Sequence, residues 1–468
     1  MKFSRELCCL AMLRILFIAS MHMAAGLGFS SQSSYLQYLQ IISHLPQGFS
    51  VGSARFPFRP FEVDKELAMN LTVIVADKPS SSFAAMFTSN QFPGGPILVG
   101  RERMKTSQQI QAIVVNNKIS NVCPGRVSDR GVGDSERVCE GVASTFALPS
   151  KDLVLPSSTG IIGWRLPVDA IVGAMPLLKS SLQSESILPA AVGITTTDRY
   201  PKVRSVIAKN SKWRVVGIAK GAGMIEPNMA TMLAYVLTDL KLPKASLEKC
   251  FRSAVGKSFN CISVDGDQST SDTAFILSSE IVECSQGDEE EFQTALNEVC
   301  LGLAEDIVRN GEGTNHVIKA TVTGAPSDIV ARNIGRFVCN SNLVKCAIAG
   351  CDPNVGRIVG AIGSYLGTID GGPGMTKGLK VTLGGVDIFD DGAFQLDPVK
   401  EKQLSDYMLN AQLYPDEIAE HDRLFPMHSR CVELEIKLNY DSKASGRSVV
   451  IGSDLTKEYV DVNADYRS

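Results

Sequence analysis

The sequence predicts a mixed α/β protein in which layered sheets are covered by helices. Short β-branched runs ended by turn residues alternate with longer windows whose apolar residues recur three and four apart. Many strand-like runs are joined by short turns, as stacked sheets require. The 468 residues exceed the roughly 250–300 at which one core stops growing, so at least two lobes are expected. Hydrophobic residues at 44% and charged residues at 21% exclude a collagen-like or disordered chain. A net charge of −4 with scattered Lys and Arg gives no field for a polyanion; it argues against nucleic acid and for small-molecule ligands.

Taken in order, the first element is "MKFSRELCCLAMLRILFIASMHMAAGLGFSSQSS", residues 1–34, read as a targeting leader. It has one acid, Glu6, several basic residues, an apolar stretch and a Ser-rich tail. Arg14 and His22 interrupt the apolar stretch, so the span of about 20 uncharged residues that a membrane helix needs is missing. An organellar transit peptide and a signal peptide ending near Ala24-Ala25-Gly26 both fit. Arg14 inside the would-be signal core favours the organelle, the mitochondrial matrix ahead of the chloroplast stroma. The twelve cysteines are dispersed without a CxxC, and the chain has five histidines. Reduced, buried thiols are therefore expected, with no metal site and no His-based triad.

From Leu71, "LTVIVADKP", "AIVVNN" and "AVGITTTD" read as strands. "SERVCEGVASTFAL", "SLEKCFRSAVGKSF" and "EEFQTALNEVCLGLAEDIVRNG" read as helices, the last stopped by Gly311 and opened by the acidic run Asp288 to Glu291. "LKVTLGGVDIFDDG" and "CVELEIKLNY" read as strands or hairpins. Between them lies "KGAGMIEPNMATMLAYVLTD", Lys220 to Asp239. Thr231 precedes Met232, Leu233, Val236 and Leu237 at helical spacing, so it fits the N-cap of an apolar helix. The same place suits a nucleophile. A Thr hydroxyl needs an adjacent base, and its own α-amine, freed by cleavage of the preceding bond, is one. That amine has a pKa of about 7.7–8.0, which the positive end of a helix would lower further. Attack of Thr231 on the carbonyl of small Ala230, with Gly221 and Gly223 supplying freedom, would open the bond.

"KGAGMIEPNMATML" resembles the self-cleavage segment of the ornithine acetyltransferase (glutamate N-acetyltransferase) family, whose members split before the Thr of Met-Ala-Thr-Met-Leu. The resemblance continues through "SSTGIIG" (157–163), "GITTTDRYPK" (193–202), "SFNCISVDGDQSTSDT" (258–273), "NGEGTNH" (310–316), "DPNVGRIVGAIG" (352–363) and "VNADYRS" (462–468), in the family's order. It implies an αββα-type sandwich like that of DmpA and ornithine acetyltransferase, cleaved between Ala230 and Thr231 into an α chain (35–230) and a β chain (231–468). Two α and two β chains would form a heterotetramer. It implies Thr231 as nucleophile and Thr159 and Gly160 as the oxyanion hole. Thr197, Lys220, Thr231, Glu312, Asn463 and Ser468 would contact substrate. In isolation Thr159-Gly160 reads as a turn, Lys220 as a surface lysine, Thr197 as a strand residue and Glu312 as part of a solvated C-cap loop. Acetyl would pass from N-acetylornithine to glutamate without a cofactor. Some members take acetyl-CoA as a co-substrate, and both kinds stay open here.

The chain departs from the family's usual Asn-Ser-Gly-Asn-Ala-Asn-Ala-Cys-Thr-Gly at Asn116 to Gly125, which read "NNKISNVCPG". Cys346, Cys351 and Val355 also replace a Thr, an acid and a Trp. Specificity and rate are in question there, more than the reaction class. The rival readings are an N-terminal-nucleophile hydrolase or aminopeptidase, a nucleotide-binding enzyme argued from the lone GxG of "KGAGM", and a non-catalytic paralogue.

Overall fold

The computed structural model describes residues 31–125, 128–226, 232–414, 423, 425, 430–440 and 445–464. Ala230, Thr231, Ser468 and the leader up to residue 30 lie outside these. The first sheet has the order β1 (Phe49–Phe58), β2 (Leu67–Ser80), β4 (Ile110–Asn116), β5 (Val154–Ser158). The second has β3 (Phe83–Phe87), β10 (Thr273–Glu283), β8 (Leu233–Lys241), β7 (Arg214–Lys220), β6 (Lys202–Ile207). Ile74, Ile113 and Leu155 of the first pack with Ile218, Leu233 and Phe275 of the second in one buried cluster. Period-two strands leave each sheet a second apolar face, and helices cover both. Helices α1 (Val132–Phe146), α2 (Val168–Gly173) and α3 (Met175–Ser180) pack on the first sheet with Val73, Val114 and Val154. Helices α4 (Lys244–Lys257) and α5 (Asp288–Arg309) pack on the second with Val215, Val236 and Ile276. The result is the expected αββα sandwich.

A third sheet follows in the order β14 (Ala393–Phe394), β13 (Val386–Asp390), β12 (Lys380–Leu383), β15 (Val432–Lys437), β11 (Val317–Ala325), β16 (Gly446–Ser453), β9 (Ile262–Ser263). Helices α6 (Asp328–Asn340), α7 (Val355–Leu366) and α8 (Pro398–Asn410) close its core over Ile318, Val322, Ile436 and Val450. A last helix, α9 (Lys457–Ala464), returns toward the sandwich. No helix among the described residues is long and apolar enough to cross a membrane.

Two expectations are corrected. The run after Thr231 is not a helix: Leu233–Lys241 is strand β8, antiparallel to β7 and parallel to β10, with every residue but the last buried. A strand buried on both faces is apolar throughout, so three-and-four spacing appears in it without meaning a helix. The helix-dipole argument for a poised amine falls with it. Nor is "AVGITTTD" a strand. Leu188–Gly193 is a short helix, and the threonines after it form a bend. There Thr195 Oγ1 donates to Val192 O (2.8 Å) and Thr196 N to Asp198 Oδ2 (3.1 Å). Such local bonds offer the backbone an alternative to a ladder.

Candidate functional site

Strand ends and the loops that follow them meet beside the beginning of β8. A cavity of about 320 Å³ there is lined by Thr159, Gly160, Thr197, Lys220, Glu312 and Asn463, with Ser269 to Ser271 on another wall. Every described residue that the sequence singled out for chemistry is among them. Thr159 and Gly160 leave the end of β5. Lys220 is the last residue of β7, Glu312 follows α5, and Asn463 comes from α9.

Gly160 has φ +119, and an added Cβ would lie 2.2 Å from the Lys118 carbonyl carbon, so only glycine fits on two counts. The 116–121 stretch is the bed for this turn. Asn116 O accepts from Thr159 N (3.1 Å), Lys118 O from Ile161 N (2.8 Å), and Asn116 Oδ1 from Ser158 Oγ (2.6 Å). The divergent stretch therefore abuts the proposed oxyanion turn directly.

Glu312 ties the opposite wall. Its Oε1 accepts from Thr197 Oγ1 (2.7 Å) and its Oε2 from Asn463 Nδ2 (3.0 Å), while its N–H donates to Ala222 O (2.9 Å). A Cβ on Gly223 would sit 2.3 Å from Glu312 Oε2, so the Gly221–Gly223 segment is glycine-rich partly because this carboxylate presses on it. Both sides of the undescribed 227–231 stretch are held: Glu226 N donates to Asp267 O (3.1 Å), and Thr273 N to Met232 O (2.9 Å).

A model of the ArgJ family matches residues 60–468. The chain belongs to the ArgJ family. It is 37% identical over 403 residues to arginine biosynthesis bifunctional protein ArgJ 2 of Clostridium acetobutylicum, covering 86% of this chain and 94% of that one. It is 35% identical over 431 residues to the ArgJ of Nitratidesulfovibrio vulgaris, covering 91% and 100%. The crystal structure of ArgJ from Bacillus halodurans shares 28% identity and superposes with a TM-score of 0.42, covering 50% of this chain and all of that one.

In this ArgJ chain the segments that line the cavity also enclose charges that the sequence reading did not single out. Asp198 and Lys202 form an ion pair with both side chains fully enclosed. Asp198 also accepts from Gly221 N (2.8 Å), and Lys202 Nζ donates to Asn310 Oδ1 (3.0 Å), whose other donor is Tyr200 N (3.1 Å). One buried pair thus fixes the threonine bend, the turn after Lys220 and the end of α5. Burial by itself would raise the Asp198 pKa, but the Lys202 and Lys220 ammoniums and the Gly221 N–H bring it below the ordinary value. Burial lowers that of Lys220, against the pull of Asp198, Asp272 and Glu312.

Deeper in, a recess of about 20 Å³ is bounded by Thr159, Lys220, Met232, Ser269, Ser271 and Asp272. Asp272 is 2% exposed, and its Oδ2 has no hydrogen-bond partner among the described residues. Burial pushes its pKa well up, opposed by the Ser269 and Thr88 hydroxyls and the Lys220 ammonium. Asp272 lay in a quoted motif, yet no spacing in the sequence marks it as enclosed. An Asp and a Lys four apart, as in "DRYPK", is the one signal that could have found the Asp198–Lys202 pair, and on a surface helix it would mean little.

Proposed function

We propose that this protein is an acetyltransferase of arginine biosynthesis. It moves acetyl from N-acetyl-L-ornithine to L-glutamate through an ester on Thr231, after the chain opens between Ala230 and Thr231. The observation that carries this reading is the convergence of Thr159, Gly160, Thr197, Lys220, Glu312 and Asn463 on one cavity beside Met232, the first described residue after the break.

Thr231 Oγ attacks the acetyl carbonyl and its own α-amine takes the proton; without a helix behind it, the amine's ordinary pKa of about 7.7–8.0 still leaves roughly a tenth to a sixth of it unprotonated at pH 7, a share that grows as pH rises. The Thr159 hydroxyl and the Gly160 N–H receive the developing oxyanion. Lys220 and Glu312 offer opposite charges for the carboxylate and ammonium of an amino-acid ligand. Ornithine leaves, glutamate enters, and its amine takes the acetyl group from the ester. The ester stores the acyl group, so the transfer needs no cofactor. Acetyl-CoA acylating the same Thr231 is a second route to N-acetylglutamate.

The α and β parts stay together. Strands β10 and β8, which follow the break, sit between β3 on one side and β7 and β6 on the other, all of which precede it. An α₂β₂ assembly is part of this reading, as is an organellar address carried by residues 1–34, supported by the composition of that stretch. Ser468 is assigned to the ligand wall beside Asn463 on the resemblance alone.

The test is a denaturing gel with N-terminal sequencing, wild type beside Thr231→Ala. Two fragments, one beginning Thr-Met-Leu-Ala, are expected in the wild type and a single chain without transferase activity in the variant. An active wild type that remains one chain defeats the reading. Deacetylation of N-acetylornithine at the same rate with and without glutamate would mark a hydrolase instead.

A further inference from the structure

Self-cleavage poses a proton problem that acetyl transfer does not. Until the bond opens, the nitrogen of residue 231 belongs to an amide and is no base. The Thr231 hydroxyl therefore needs another acceptor for its proton. Among the described residues, three ionisable groups border the cavity and its recess. Glu312 stands at the outer wall with both oxygens taken up by Thr197 and Asn463. Lys220 is the rival acceptor: burial brings its pKa below the ordinary value, against the pull of the Asp198, Asp272 and Glu312 carboxylates, and it stands at the end of β7 on the side of the recess away from β10.

Asp272 differs from both. It immediately precedes β10, and the parallel register that pairs Thr273 with Leu233, with Thr273 N donating to Met232 O at 2.9 Å, brings it alongside the chain entering β8. Its Oδ2 is buried without a partner among the described residues. It shares with Thr159 and Met232 a recess of about 20 Å³, enough room to admit one water. Leaving a buried carboxylate oxygen open is costly.

We propose that Asp272 is the proton acceptor of the internal cleavage, used before the Thr231 amine exists; the inference rests on the reading that the Ala230–Thr231 bond opens. The Asp272 carboxylate takes the Thr231 Oγ proton as Oγ bonds to the Ala230 carbonyl carbon. The C–N bond breaks and the departing nitrogen receives that proton, leaving an ester and a free amine. Water then adds to the ester carbonyl, the C–O bond breaks, and Thr231 Oγ recovers a proton as the Ala230 carboxylate forms. One water is consumed, and Asp272 ends as it began. Its enclosure makes it a stronger base than an exposed aspartate, and Lys220 on β7, with Asp198, Lys202 and Glu312 behind it, together with the hydroxyls of Ser269 and Thr88, sets how much of it is ionised.

The experiment follows the full chain from synthesis. Wild type, Asp272→Asn, Lys220→Met and Thr231→Ala are made in a cell-free system, chased in buffers from acid to neutral pH, and resolved on denaturing gels. The wild-type rate is expected to climb with pH through one ionisation lying above the ordinary carboxylate range. Asp272→Asn should cleave at least about 100-fold more slowly without that climb, the size of a lost general base, and Thr231→Ala should stay whole. A wild type that never cleaves removes the underlying reading and this inference together. A wild type that cleaves while Asp272→Asn keeps pace overturns the inference alone, as does a Lys220→Met variant that loses the pH-dependent phase while Asp272→Asn retains it. Should Asp272→Asn melt far below Thr231→Ala, the wild-type profile decides: a climb supports Asp272, and a flat profile refutes it.

Discussion

The core under the third sheet and the charged cluster behind the sandwich cavity are both closed to solvent, yet they are made of different things. Under the third sheet, Ile318, Ile334, Ile362, Val381 and Ile436 meet one another, and β15 alternates buried and exposed residues so that Glu433, Glu435 and Lys437 point away. Behind the cavity wall Asp198 and Lys202 are enclosed, and Asp272 bounds the recess with Lys220, at strand ends and in the loops that follow. Taking each such charge out of water costs several kcal/mol, and a well-packed apolar pair of the same volume is often as stable. The contrast teaches that the first core serves the fold, whereas the second gives up stability to fix charges around a ligand space.

The comparison breaks most visibly at the buried pair. Lys202→Met leaves Asp198 unbalanced and should cost about 3–5 kcal/mol in denaturant unfolding, with much of it recovered in the double variant Asp198→Leu/Lys202→Met. Acid should erode the same contribution. Because the folded pKa of Asp198 lies below its unfolded value, the stabilisation is present above the unfolded value and is lost as pH falls through the folded one. Thr159→Ala should lower the transfer rate about 100- to 1,000-fold, with a melting temperature near that of the wild type, since it removes an oxyanion donor and little packing. On the apolar side, Ile362→Val should cost about 0.5–1.5 kcal/mol and leave the transfer rate per folded molecule unchanged. If it lowers the rate as Thr159→Ala does, the separation of the two regions is wrong. The smallest effect is expected at Lys118, whose φ of 74° lies in the left-handed region that favours glycine. Lys118→Gly should raise stability by about 1 kcal/mol at most, because part of the relief is offset by glycine's greater chain entropy.

The apolar region was the more legible one. The alternation of β15 and the three-and-four spacing of α4 and α5 follow directly from which face meets a core, so sequence shows them. The same spacing misled at Leu233–Lys241, because a strand covered by a sheet on one face and by helices on the other has no polar face to reveal its period. The bend at Thr195–Asp198 was hidden because side-chain bonds, not β propensity, decide its backbone. The candidate site residues were legible through a long motif resemblance, and the cavity brings together those that the structure describes, Thr159, Gly160, Thr197, Lys220, Glu312 and Asn463. Asp198, Lys202 and Asp272 were not singled out: a charged letter in a sequence looks the same whether solvent or an opposite charge surrounds it.

The turn at Gly160 lies on main-chain atoms, the carbonyls of Asn116 and Lys118, and not on the side chains of residues 117–119. Natural selection acting on that turn therefore sees a path through space more than a spelling. Lineages can exchange letters along the neighbouring stretch, at a modest toll in strain, so long as the ribbon keeps its course, and divergence there is a poor clock for loss of chemistry.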